Sequence, residues 1–156
     1  MIELARQEEM REPLGLEYLV SDVLELGKIS DFDLVVAFFL LNHAQTKQQL
    51  LKMCQSLSAN LKPGGRFIAF NNNLELPPES YFRLEKYGRK QSISAPLQEG
   101  TPINVTLFSN ADDNTEECRF IDYYLSKATY EWAFQRVGFK EIRWHKPLVS
   151  PEDIQK

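Results

Sequence analysis

The sequence predicts an α/β fold, a mainly parallel sheet with an antiparallel hairpin at its edge. Three observations carry that expectation. Residues 34–41 form an unbroken apolar run with Val35, Val36, Phe38 and Phe39 inside it and Asp31 and Asp33 before it. Such a run is too short to span a membrane and has the length of a strand covered on both faces. Next, Leu50, Leu51, Met53, Cys54, Leu57 and Leu61 recur at helical spacing, and residues 66–70 re-enter as a second apolar run. Strand, helix and strand in that order make a βαβ unit with parallel strands and a right-handed crossover. Finally, Ile103, Val105 and Leu107 alternate with polar or outward residues, and residues 118–125 return after an acidic turn. Alternation on both sides of a turn reads as an antiparallel hairpin.

Taken in order, residues 1–12 favour a helix with Ile2, Ala5 and Met10 on its inner face, ended by Pro13 and Gly15. Residues 16–21 alternate loosely and fit a short strand. Asp22 and Val23 would then stand at that strand's carboxyl end, where open α/β sheets bind ligands. An aspartate capping its own turn is the plain structural alternative. Asn42 and His43 follow the first strand of the βαβ unit in the same way. Thr46 and Gln49 have the spacing of a capping box, and Pro63-Gly64-Gly65 is expected to stop the helix and turn the chain. Asn71, Asn72 and Asn73 follow the second strand, again at a carboxyl end. Residues 76–96 form a charged, proline-bearing excursion with Tyr81, Phe82 and Tyr87 as its apolar contacts, a lid or a wall for a ligand. Tyr130, Ala133, Phe134 and Val137 fall on one helical face, with Gly138 placed as a cap. Residues 139–144 are expected to be the last strand, and His145, Pro147 and Ser150-Pro151-Glu152 a tail.

Bulk properties narrow the function classes. A chain of 156 residues, 43% hydrophobic and 26% charged, is ordinary globular material for one domain spanning residues 1–156. Its net charge of −4 does not point to nucleic acid. The start is acidic and helix-favouring, unlike a secretory signal, and a cytoplasmic protein with no membrane partner is expected. Cys54 and Cys118 lack metal-like spacing and read as two buried, reduced thiols. No metal site is expected. There is no HExxH, no CxxC, no nucleophile elbow and no GxGxxG turn of a nicotinamide-binding domain.

FDLVVA, a helix and LKPGGRF together resemble the fourth and fifth strands of class I S-adenosylmethionine-dependent methyltransferases. The likeness extends outward. MIELARQ is similar to the helix after that fold's second strand, and LEYLVSDV to its third strand with the acidic residue that follows. NHAQTKQQLLKMC, PGGRFIAFNNN, EKYG, EGTPI and GFKEIRWHKPLVSPE are similar to small-molecule methyltransferases of the toxoflavin-synthase-like kind. LKPGG alone is a weak signal; the ordered set is a strong one. The resemblance implies a Rossmann-like methyltransferase domain missing its first βαβ portion, the part that carries the glycine-rich turn. It implies S-adenosylmethionine as the methyl donor and a small molecule as acceptor. For the donor it implies Asp22 at the adenine amino group, Val23 near the ring, and Ala37 and Phe38 lining the cleft. For the acceptor it leaves Asn42, His43, Asn71 and Tyr87 as candidates, with no catalytic residue specified. Missing neighbours would leave one edge of the first central strand unpaired, so a homo-oligomer or a complementing chain at that edge is also expected. A non-catalytic scaffold derived from the same fold is the alternative.

Overall fold

The computed structural model describes residues 2–73, 75–94, 96–108 and 116–146. Of the acidic turn expected at 110–117, residues 110–115 lie outside them and 116–117 already belong to a strand; the side chain of Phe82 and the tail from 147 onward also lie outside them.

The centre is the βαβ unit. Strand β1 (Phe32–Phe38) pairs in parallel with β2 (Leu61–Phe70), Val36 opposite Ile68 and Phe38 opposite Phe70. Helix α2 (Lys47–Ala59) crosses between them. Its capping box forms with a shifted return bond: Gln49 N–H donates to Thr46 Oγ1 at 3.1 Å, while Gln49 Oε1 accepts from Gln45 N–H at 2.9 Å. Leu50, Met53, Cys54 and Leu57 face inward as the periodicity requires. The helix ends earlier than expected, at Asn60. That buried amide accepts from Ile29 N–H (2.6 Å) and Ser30 N–H (3.2 Å) and donates to the Gly27 and Ser56 carbonyls (both 2.8 Å), so it both ends the helix and clamps the loop entering β1. Pro63-Gly64-Gly65 lies instead inside β2, where the register slips between Leu61 and Arg66. Glycine is required there: a Cβ on Gly65 would sit 3.0 Å from the Lys62 carbonyl oxygen and 3.1 Å from that of Phe32.

Three expectations fail on the amino-terminal side of this unit. Among the described residues β1 is hydrogen-bonded to β2 alone, and residues 16–21 form no strand. A short extended segment needs a neighbouring ladder to become a strand, and none is in place. Helix α1 (Ile2–Arg11) buries no residue; Ile2 and Ala5 are half-buried, and Met10 is 75% exposed. The run expected to be covered on both faces is covered on one. Val35 and Ala37 face the core, whereas Leu34, Val36 and Phe38 are exposed, together with Ile68 and Phe70 of β2.

The antiparallel strands form a three-stranded sheet of their own, β3 (Arg89–Ile93), β4 (Pro102–Phe108) and β5 (Glu116–Tyr123), in sequence order. The excursion at 76–96 thus contains a 3-10 helix, Pro78–Tyr87, and then a strand with the alternation Arg89, Gln91, Ile93. The two sheets have separate cores. One gathers Ala37, Leu41, Leu50, Met53, Leu57, Tyr130 and Phe134; the other is Tyr81, Ile103 and Val105 with Ile93, Leu107 and Phe120 packed against it. Cys54 is buried, and burial pushes its thiol up to about 12. Cys118 is exposed, contrary to expectation; neither is in a disulfide.

Helix α3 (Lys127–Arg136) starts on Ser126, whose Oγ accepts from Thr129 N–H, and ends in a Schellman motif: Phe139 N–H donates to Phe134 O and Gly138 N–H to Gln135 O, both at 3.1 Å. Residues 139–146 are irregular, not a strand; Phe139 stacks on Phe67 at 5.6 Å, so ring packing holds the segment. Gly138 has φ +98°, and nothing stands within 4 Å of a Cβ placed there. Gly138→Ala is therefore expected to cost backbone strain alone, about 1–2 kcal/mol, read as a lowered urea midpoint. An unchanged midpoint would show that the end of α3 rewinds freely.

Candidate functional site

Both parallel strands end on the same side of the sheet, and the polar residues after them converge with residues of the antiparallel sheet. Phe39 makes the first turn. It adopts φ 54°, a left-handed conformation unusual for a bulky residue, with its N–H donating to Phe70 O at 2.7 Å and its ring edge-on to Phe70. The chain then winds into a 3-10 turn, Leu41–His43. This places Asn42 in the interior and leaves His43 half-exposed. Asn42 Oδ1 accepts from Asn72 N–H at 3.4 Å, tying the end of β1 to the end of β2.

From the other sheet come Arg89, the first residue of β3, and Asp122 on β5. Asp122 is 1% exposed. Its Oδ2 accepts from Asn72 Nδ2 at 2.8 Å and from Arg89 Nη2 at 3.3 Å, and Arg89 Nη2 also donates to Asn72 Oδ1 at 2.8 Å. The Arg89 guanidinium stands 5.5 Å from the centre of the Phe39 ring. Burial lowers the Arg89 pKa and Asp122 opposes that shift, so the pair is a compensated charge inside the protein. His43 Nδ1 lies 3.3 Å from the Ile121 carbonyl oxygen and 3.5 Å from Asp122 Oδ1, with its ring edge-on to Phe120. Three buried polar atoms of this cluster have no hydrogen-bond partner among the described residues, Asn42 Nδ2, Arg89 Nε and Asp122 Oδ1, and neither has Asn71 Oδ1, one residue before Asn72 in the chain. Unsatisfied buried groups cost about 1–3 kcal/mol each and are few in folded proteins, so their concentration at this end of the strands makes it the candidate site.

The candidates named from sequence are distributed unevenly. Asn42 and His43 are in the cluster; Asn71 stands next to Asn72 in the chain, with a buried side-chain oxygen that has no hydrogen-bond partner among the described residues. Tyr87 is not; it is 72% exposed at the end of the 3-10 helix, with Lys86 Nζ 4.8 Å from its ring centre, so it is not the apolar contact expected. Ala37 is buried in the core behind the strand, and Phe38 is 68% exposed on the opposite face. Asp22 is exposed, and its Oδ1 accepts from Leu24 N–H at 2.8 Å, closing an Asx turn. Val23 packs against the first core and so holds that turn to the body of the fold. Arg89 and Asp122 were not singled out from sequence. The signal was a charge at an inward position of an alternating strand: Phe120, Asp122 and Tyr124 share one face. No group of acidic, histidine or cysteine residues able to hold a metal occurs among the described residues.

Comparison with known proteins agrees with this architecture. Residues 1–69 match the model of a family described as a methyltransferase domain. The chain is similar to the crystal structure of an S-adenosylmethionine-dependent methyltransferase from Clostridium acetobutylicum ATCC 824, with a TM-score of 0.59 at 17% identity, over 87% of this chain and 58% of that one. It is similar to the PH0226 protein from Pyrococcus horikoshii OT3, with a TM-score of 0.59 at 24% identity, over 87% of this chain and 59% of that one. It is also similar to S-adenosylmethionine-bound CalS10, an amino pentose methyltransferase from Micromonospora echinaspora, with a TM-score of 0.53 at 18% identity, over 88% and 62%. No curated protein matches it. The chain shares its fold with these structures, part of the α/β methyltransferase architecture that the motifs implied, and it spans about three-fifths of their length. Among the described residues no helix is long and apolar enough to cross a membrane.

Proposed function

We propose that the chain is the acceptor-side part of a methyltransferase that moves a methyl group from S-adenosylmethionine to a small molecule. The observation that carries this reading is the cluster of orphaned, buried polar atoms at the carboxyl ends of β1 and β2, where ligands of open α/β sheets bind. The bound donor supplies a methyl group already electrophilic on its sulfonium. The protein then has to hold the acceptor in line and keep water away.

What the described residues offer the donor fits one end of it. Asp22 presents an exposed carboxylate for an adenine amino group, Val23 fixes that turn, and the exposed Phe38 ring gives an apolar wall. The acceptor side is better furnished. Asn42, Asn71 and Arg89 bring a spare donor, a spare acceptor and a spare N–H, and the Asp122–Arg89 pair leaves the site without net charge, suiting a neutral acceptor.

A second reading has its own support. The free edge of β1 and the uncovered apolar face around Leu34, Val36, Phe38, Ile68 and Phe70 suit a piece that docks with a complementing chain or a second copy, without catalysis. One experiment separates the two. With S-adenosylhomocysteine at several millimolar, the backbone amide signals of Asp22, Val23 and Phe38 are expected to shift in a ¹⁵N correlation spectrum, and the shifts to vanish in Asp22→Ala. Unmoved signals at these positions would overturn the donor-binding reading and leave the docking one.

A further inference from the structure

One contact in the cluster specifies a proton. His43 Nδ1 faces two acceptors and no donor: the Ile121 carbonyl oxygen at 3.3 Å and Asp122 Oδ1 at 3.5 Å. A neutral imidazole with two acceptors on one nitrogen carries its hydrogen there. The hydrogen of His43 is therefore on Nδ1, and the lone pair is on Nε2. With the side chain 49% exposed, the ring is open to a ligand that enters from solvent.

Asp122 shows the same design from the other side. Its side chain is 2% exposed, and its two oxygens are treated differently. Oδ2 is held by Asn72 and Arg89, while Oδ1 is buried and lacks a hydrogen bond, with His43 Nδ1 beside it. A carboxylate oxygen left short of a donor in the interior strengthens its hold on any cation formed next to it, because little water competes. The cation available is the imidazolium that results when His43 Nε2 takes up a proton.

We propose that His43 is a catalytic base acting through Nε2, with Asp122 as its positioning residue, and that the ligand class is a neutral small molecule whose nucleophile still carries its proton, a hydroxyl or a ring N–H. The proposal rests on the methyl-transfer reading and deepens it. In the step, the nucleophile's electron pair forms the new bond to the methyl carbon, and the pair of the breaking carbon–sulfur bond stays on sulfur. The proton leaves the nucleophile for Nε2, giving an imidazolium between the product and Asp122. A positioned base of this kind contributes about 10²–10⁴-fold to a rate.

The test begins with the unaltered chain. Histidine labelled with ¹⁵N is followed by long-range proton–nitrogen correlation, with His145→Gln used to assign the two rings. Nδ1 protonated and Nε2 unprotonated at His43 is the expected pattern; the reverse tautomer overturns the proposal. Diethyl pyrocarbonate then probes the lone pair, with His145 as the internal reference. Asp122→Asn is expected to slow carbethoxylation of His43 several-fold and to leave His145 unchanged. An equal rate at His43 in a variant that melts cooperatively also overturns it. If Asp122→Asn does not fold, the tautomer in the unaltered chain still decides. Neither measurement involves the methyl donor. Loss of the donor-binding reading would leave the tautomer result intact, and a wrong tautomer would leave donor binding intact.

Discussion

Titrated with S-adenosylhomocysteine in a calorimeter at micromolar concentrations, the 156-residue chain is expected to give no saturable heat. In the class I fold that the chain resembles, a glycine-rich turn lets backbone N–H groups approach the donor's methionine part, and an acidic residue after the second strand takes the ribose hydroxyls. No GxGxG turn occurs in the sequence. On the proposed reading, Asp22, Val23 and Phe38 are what the chain offers the adenine end. Hydrogen bonds to charged groups contribute about 1.5–3 kcal/mol each, so two missing ones weaken binding by about 3–6 kcal/mol, or about 10²–10⁴-fold. This agrees with amide shifts that need millimolar ligand. Micromolar binding abolished by Asp22→Ala would mean that the pocket is already complete, and the prediction would be wrong.

The second large effect is on stability. Arg89→Met removes a cation that is hydrogen-bonded to Asp122 and keeps most of the side-chain volume. The carboxylate would then be buried with Asn72 as its remaining donor and His43 at 3.5 Å. Removing one partner of a buried pair costs about 3–5 kcal/mol, and because the Arg89 side chain is 21% exposed, about 2–4 kcal/mol is expected here. Chemical denaturation reads it directly. Adding Asp122→Leu should restore part of the loss, since the stranded charge goes with it. A double variant no more stable than the single one would mean that the two residues are not coupled.

The central βαβ unit was legible because its signals are local. An apolar run and a 3.6-residue stripe fix β1 and α2 without reference to anything distant, and a second apolar run fixes the far end of β2; the Pro-Gly-Gly break misplaces the end of α2, because the helix stops at Asn60 and the glycines lie inside β2. The capping pair at Thr46 and the glycine end of α3 belong to the same kind. What failed depended on neighbours. Residues 16–21 and 139–144 have strand-like composition, yet a strand exists only when another strand accepts its hydrogen bonds. β3 was hidden for the opposite reason: Arg89 and Lys90 make it look like loop, and only its ladder to β4 reveals it. The site divides along the same line. Asn42 and His43 of the cluster were named by their place after a strand. Arg89 and Asp122 lie 17 and 50 residues from Asn72 and meet it only in the fold.

The cluster also sits where two cores meet. Asn42, His43 and Asn72 belong to the side built on β1 and β2, while Arg89 and Asp122 belong to the antiparallel sheet. No apolar cluster of buried residues bridges the two sides among the described residues. The hydrogen bonds of the site are therefore also a latch. If the small sheet lifts, Asp122 leaves Asn72 and His43 together, and Arg89 leaves Asn72 in the same movement. The base and its carboxylate exist as a pair only while the latch is shut. A ligand that bonds to both sides closes it further by mass action, so that the acceptor helps to assemble the residues that would act on it.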